Sequence, residues 1–143
     1  MYPRIFNGKR TQRRITMKTI IPKFIGGIIN CIGFINTAYA SKLALKLFSK
    51  PRDGQLTPNA TLFLETATKT ILHYNGLPIQ TYNWKGAKET VLLAHGWESN
   101  SGRWRHEIEK LQKEDYNIIA LDGPAHGGSG SNTFNAILYS EFI

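Results

Sequence analysis

Residues 91–104 read VLLAHGWESNSGRW, and this stretch decides the fold. Val91 to Ala94 form an unbroken apolar run that ends in His95-Gly96-Trp97, the pattern of a strand buried on both faces and closed by a tight turn. Ser99 to Gly102 supply small polar residues suited to a helix start. Trp104, Ile108 and Leu111 then recur at the spacing of one helix face. The stretch therefore reads as strand, turn, helix.

Downstream the same kind of unit begins again. Asn117 to Leu121 (NIIAL) is a second short apolar run, and it ends in Asp122-Gly123-Pro124-Ala125-His126-Gly127-Gly128-Ser129-Gly130, a loop dense in turn formers. Two apolar strands joined by an amphipathic helix make a βαβ unit, with parallel strands and a right-handed crossover. Ligands in such sheets collect at the carboxyl ends of the strands. Both loops are therefore expected on one rim.

Upstream, Thr70 to Tyr74 and Leu77 to Trp84 are β-rich runs joined by Asn75-Gly76, the preferred pair for a two-residue hairpin turn. Lys85 to Glu89 turn the chain into the Val91 strand. Thr57 followed by Pro58 predicts a helix start, with Leu62, Phe63, Leu64 and Ala67 on its apolar side. A further helix is expected over 136–142.

The two motifs together resemble the α/β-hydrolase family. An apolar strand ending in His95-Gly96-Trp97, followed one helix later by a strand ending in Asp122-x-Pro124-x-His126-Gly127-x-Ser129-Gly130, is similar to the third and fourth strands of that fold. The resemblance covers residues 70–143. It implies an α/β architecture: the amino-terminal part of an α/β-hydrolase sheet, an antiparallel hairpin and then parallel βαβ strands, preceded by amphipathic helices.

In this family the loop after the third strand gives one backbone N–H to the oxyanion hole, a role the resemblance assigns to the amide of Trp97. Gly96 allows close backbone approach, and His95 is expected to fix the loop by hydrogen bonding. A plainer reading, in which His95 and Gly96 only build a turn, stands beside it. Asp122, Pro124, His126, Gly127 and Ser129 are expected to shape the second loop. The family also needs a Gly-x-Ser-x-Gly elbow on the next strand, then an acid, then a histidine, and none is found before Ile143. Gly127-Gly128-Ser129-Gly130-Ser131 comes nearest, but lacks the last glycine and follows the wrong strand. No catalytic residue is therefore assigned.

The resulting expectation is a truncated, esterase-like serine hydrolase. Its full-length form transfers an acyl group from a small ester-like substrate to water; the fragment alone is inactive and poorly soluble. The alternative is a noncatalytic remnant, held on a membrane surface or partner through its amino-terminal segment. No cofactor is expected.

The composition, 41% apolar and 11% aromatic over 143 residues, is that of a globular chain. The net charge of +8 is unevenly placed: residues 1–52 hold 11 Lys or Arg and no Asp or Glu, against 7 basic and 10 acidic residues from Asp53 onward. The basicity belongs to an extension, so no nucleic-acid partner is expected for the hydrolase-like part. Residues 1–16 read as a basic disordered arm, and Met17 is a candidate start.

Residues 17–50 read as an amphipathic helical segment in two pieces. Ile20, Phe24, Ile28, Ile32, Ile35, Tyr39, Leu43 and Leu47 recur every three or four residues, with Lys42, Lys46 and Lys50 on another face. Three arrangements fit: a helix packed on the domain, a helix lying on an anionic membrane, or a signal peptide ending at Ala38-Tyr39-Ala40. The expected location is the cytoplasm or a membrane surface, ahead of secretion or the periplasm. Residues 51–69 read as linker and short helix, and 70–143 as the partial hydrolase domain. Cys31 excludes a disulfide framework within the chain. His73, His95, His106 and His126 lack metal-ligand spacing, so no metal site is assigned.

Overall fold

The computed structural model describes residues 17–143, and the arm expected over 1–16 lies outside them. The chain forms two compact units, one ending at Ala44 and the other spanning Leu45–Ile143.

The first unit holds α1 (Met17–Ile35) and most of α2 (Thr37–Phe48). Asn36 makes the break and caps the second helix, its Oδ1 accepting from the Tyr39 N–H at 2.9 Å. Small residues let the two helices approach at the corner: a Cβ on Gly33 would meet Ala40 Cβ at 3.7 Å. Among the described residues, no helix is long and apolar enough to cross a membrane.

The second unit opens with α3 (Pro58–Leu64), whose Thr57 cap accepts from the Ala60 N–H. It continues with the hairpin β1 (Thr68–Tyr74) and β2 (Leu77–Trp84). Asn75 at φ 48° and Gly76 at φ 78° form the left-handed pair that this hairpin turn requires. Next come β3 (Thr90–Ala94), a 3-10 turn at Ser101–Trp104, α4 (Arg105–Lys113), β4 (Asn117–Leu121) and α5 (Ala136–Ser140). The strand order is β1-β2-β4-β3. β2 pairs antiparallel with β1 and β4, and β3 pairs parallel with β4, Ala94 beside Leu121.

Alternation along the strands divides the apolar residues between two faces. Tyr82, Trp84, Ile118 and Ala120 join Phe63, Leu64 and Ile108 under α3 and α4. Phe63 stacks on Trp84 at 5.6 Å, and the Trp84 indole N–H donates to Thr66 Oγ1 at 2.9 Å. On the other face Ile79 and Leu121 meet Tyr139 and Phe142.

The expectation that Val91 to Ala94 are buried on both faces needs correction. No residue of β3 is fully buried, and Leu92 is 42% exposed. Among the described residues β3 is paired along one edge, and Leu92 lies on the face opposite α4, where Leu72 is exposed as well. β4 and β2 carry buried residues on both faces, Ile118, Ala120 and Leu121 on β4 and Ile79, Tyr82 and Trp84 on β2.

Candidate functional site

Parallel pairing of β3 and β4 delivers His95 and Asp122 side by side at the carboxyl rim. The two loops that follow are tied to each other by their imidazoles. The Gly123 N–H donates to His95 Nε2 at 2.8 Å, and His95 Nδ1 lies 2.7 Å from the Gly96 carbonyl. These contacts require the neutral ring with its proton on Nδ1. Burial, the largest influence, pushes the His95 pKa below its usual 6.5 and favours the same state.

His126 repeats the arrangement in the opposite direction. The Glu98 N–H donates to its Nε2 at 3.0 Å, and its Nδ1 faces the Pro124 carbonyl at 2.8 Å. The His95 and His126 rings meet edge-on at 5.1 Å. With both ring nitrogens occupied in each, neither imidazole has a free nitrogen with which to take a proton from a nucleophile.

Asp122 is the anchor beneath the rim. It is fully buried, and its Oδ1 accepts from the Ser101 N–H (2.8 Å) and hydroxyl (2.7 Å). Its Oδ2 accepts from the Tyr82 hydroxyl (3.0 Å) and the Gly128 N–H (2.8 Å). Donors on β2, the turn before α4 and the second loop thus converge on one carboxylate, as a buried charge requires. The Tyr82 phenol pKa is pushed up by burial, and then by the adjacent carboxylate.

Ser129 does not point into open space. Its hydroxyl donates to the Asp122 carbonyl at 2.6 Å and accepts from the Gln80 N–H at 2.9 Å. Gly127 sits at φ 49°, and a Cβ there would collide with the Asp122 carboxylate. Pro124 is fully buried at the base of the loop.

The first part of 51–69, the stretch read as linker and short helix, runs along the rim. Gly54, at φ 105°, accepts from the Gly127 N–H at 2.9 Å, and a Cβ on it would strike the His126 ring. Arg52 N–H donates to Glu98 Oε1 at 3.1 Å, and Asn100 Nδ2 donates to the Gln55 carbonyl at 3.0 Å. A cleft of about 460 Å³ opens here, lined in part by Arg52, Asp53, Glu98 and Arg103.

Trp97 occupies the outermost turn of the first loop. Among the described residues its amide N–H donates to no protein acceptor. Its indole, 42% exposed, packs edge-on against Phe134 at 5.3 Å and His126 at 5.8 Å. Glu98, the next residue, is held at φ 50°, and Ala125 in the facing loop at φ 61°. Each left-handed non-glycine residue costs on the order of 1–2 kcal/mol. The hydrogen bonds from Glu98 to His126 and from the Ala125 N–H to the Gly130 carbonyl hold the two loops in these conformations.

No protein-family model and no curated protein sequence matches the chain. Among solved structures, the thioesterase domain from the curacin biosynthetic pathway superposes with a TM-score of 0.50 at 21% identity, over 54% of this chain and 30% of that one. The chain carries the amino-terminal part of an α/β-hydrolase fold. The Vigna radiata epoxide hydrolase VrEH1 is 27% identical (TM-score 0.43, 47% of this chain and 22% of that one). The Aspergillus niger epoxide hydrolase is 13% identical (TM-score 0.44, 52% and 22%). The chain thus spans less than a third of the length of these α/β-hydrolase structures.

Several partners in this α/β-hydrolase rim carry no sequence signal. Tyr82, Ser101, Gly54, Phe134 and Tyr139 reach the site through tertiary contacts. Tyr139 is buried beside the His95 ring, the two ring centroids 5.8 Å apart. His73 and His106 are exposed, on β1 and in the first turn of α4. Among the described residues, no group of three or more His, Cys, Asp or Glu could hold a metal ion.

Proposed function

We propose that this chain supplies one wall of an esterase-like hydrolase site, with the Trp97 amide as an oxyanion donor for acyl transfer from a small ester-like substrate to water. The observation that carries the reading is the Trp97 N–H. It has no protein acceptor among the described residues, yet stands on a loop held from both sides by His95 and His126. A donor fixed before substrate arrives stabilises charge that develops on a carbonyl oxygen at little reorganisation cost. The serine, acid and proton-carrying histidine of such a reaction lie outside residues 1–143 in this reading. Ser129, locked between Gln80 and Asp122, lacks a base.

The test compares p-nitrophenyl butyrate hydrolysis by purified residues 1–143 with that of a polypeptide extended by any in-frame downstream sequence carrying Gly-x-Ser-x-Gly. Turnover only in the extended protein, lost on replacing its elbow serine by alanine, is the expected result. Turnover by residues 1–143 that disappears in Ser129→Ala would refute the reading.

A further inference from the structure

We propose that the helical unit before the hydrolase fold is a peripheral anchor that lies on the surface of an anionic lipid bilayer. Three independent features converge on that partner.

The first is a stripe of exposed apolar side chains on α1. Ile20, Phe24, Ile28 and Cys31 follow one another at helical i, i+4 and i+3 steps, and Ile21 and Ile35 fall on the same side. Phe24 is 69% exposed and Ile35 91%, while Ile25, Ile29 and Gly33 on another face are partly covered. A surface helix of a soluble domain turns such a stripe inward.

The second feature is charge. Residues 1–52 carry 11 Lys or Arg and no acidic side chain. On α2, Lys42 and Lys46 are exposed one helical turn apart. Apolar groups that enter the acyl boundary, beside lysines that reach phosphate, are the composition of an interfacial helix. An acidic lipid surface complements this segment; a neutral apolar protein groove leaves its cations unanswered.

The third is length and polarity. No described helix can cross a bilayer, and Lys23, Gly26, Gly27 and Asn30 interrupt α1. The segment is therefore suited to lie in the interface plane. Phe34 (92% exposed) and Tyr39 (59%) provide aromatic side chains of the kind enriched at that depth.

The experiment is co-sedimentation of purified residues 1–143 with two kinds of vesicle, phosphatidylcholine alone and an equal mixture of phosphatidylcholine and phosphatidylglycerol. The protein is expected to sediment with the anionic vesicles, to be released by high salt, and to bind the neutral vesicles far more weakly. Phe24→Asp with Ile28→Asp, at exposed positions, should abolish binding while helicity by circular dichroism is unchanged. Should that variant lose helicity, Lys42→Gln with Lys46→Gln keeps the question open to test. Each lysine removed should weaken binding about fivefold, roughly 25-fold together.

Failure to sediment with anionic vesicles overturns the proposal, as does equal, salt-insensitive binding to both vesicle types. Dimerisation that depends on Phe24, without vesicle binding, would assign the stripe to a second copy of the chain. Recovery of the protein from expressing cells with Ser41 as its first residue would make residues up to Ala40 a cleaved leader and refute the anchor.

Discussion

The Gly123 N–H donates to the Nε2 of His95 across the carboxyl ends of β3 and β4, at 2.8 Å. The link works only while that nitrogen is unprotonated. His95, with its pKa lowered chiefly by burial, stays neutral in the folded chain at pH values where the unfolded chain already takes up a proton. The His95 contribution to stability should therefore be complete above the ordinary value of 6.5 and be lost as the pH drops below it. Urea midpoints measured across that range check the slope, which should flatten in His95→Gln. A midpoint constant through this window would contradict the assignment.

Asp122 should be the most costly single side chain to lose. Asp122→Ala leaves two backbone N–H groups and two hydroxyls without their acceptor in a buried site. The expected loss is on the order of 3–5 kcal/mol, by urea denaturation. Asp122→Asn should also destabilise, since its amide turns donors toward donors. A change below about 1 kcal/mol would mean that the network adds little.

At the alkaline end, burial is the main cause that raises the Tyr139 phenol from 10.0 to about 12, and Tyr82 is raised as well. A group whose folded pKa is raised contributes stability below its unfolded value and loses it as the pH climbs through the folded one. Unfolding should therefore be promoted above pH 10, with phenolate absorbance from these residues appearing late. Tyr139→Phe should remove one late-titrating phenol and with it part of the alkaline loss of stability.

Gly54 and Gly127 should not tolerate alanine. Gly54→Ala meets the His126 ring at φ 105°, and Gly127→Ala meets the Asp122 carboxylate at φ 49°. Each should cost more than about 1 kcal/mol in thermal or urea unfolding. Gly96, where a Cβ would meet nothing within 4 Å, serves as the permissive control.

Local chemistry made much of the fold legible. Asn75-Gly76 marks the hairpin turn, Thr57-Pro58 a capped helix, and the runs at Val91 and Asn117 the parallel pair. Apolar content misleads for β3, because Val91 to Ala94 report hydrophobicity but not how many neighbours a strand has. The rim was legible only in its loops. The Asp122 donors Tyr82 and Ser101 lie 40 and 21 residues away in sequence, with no periodicity to join them to it. Gly54 likewise sits in a Pro- and Asp-containing stretch that reads as a linker, and only its contacts with His126 and Gly127 show otherwise.

The claim that the Trp97 amide, and not its indole, is the working group is tested most directly by two substitutions at one position. In an active polypeptide that includes this chain, Trp97→Pro removes the N–H and Trp97→Ala keeps it. Ester hydrolysis should lose about 10²–10³-fold in kcat in the proline variant, with the alanine variant retaining most of the parent rate. Equal rates in the two variants would contradict the account.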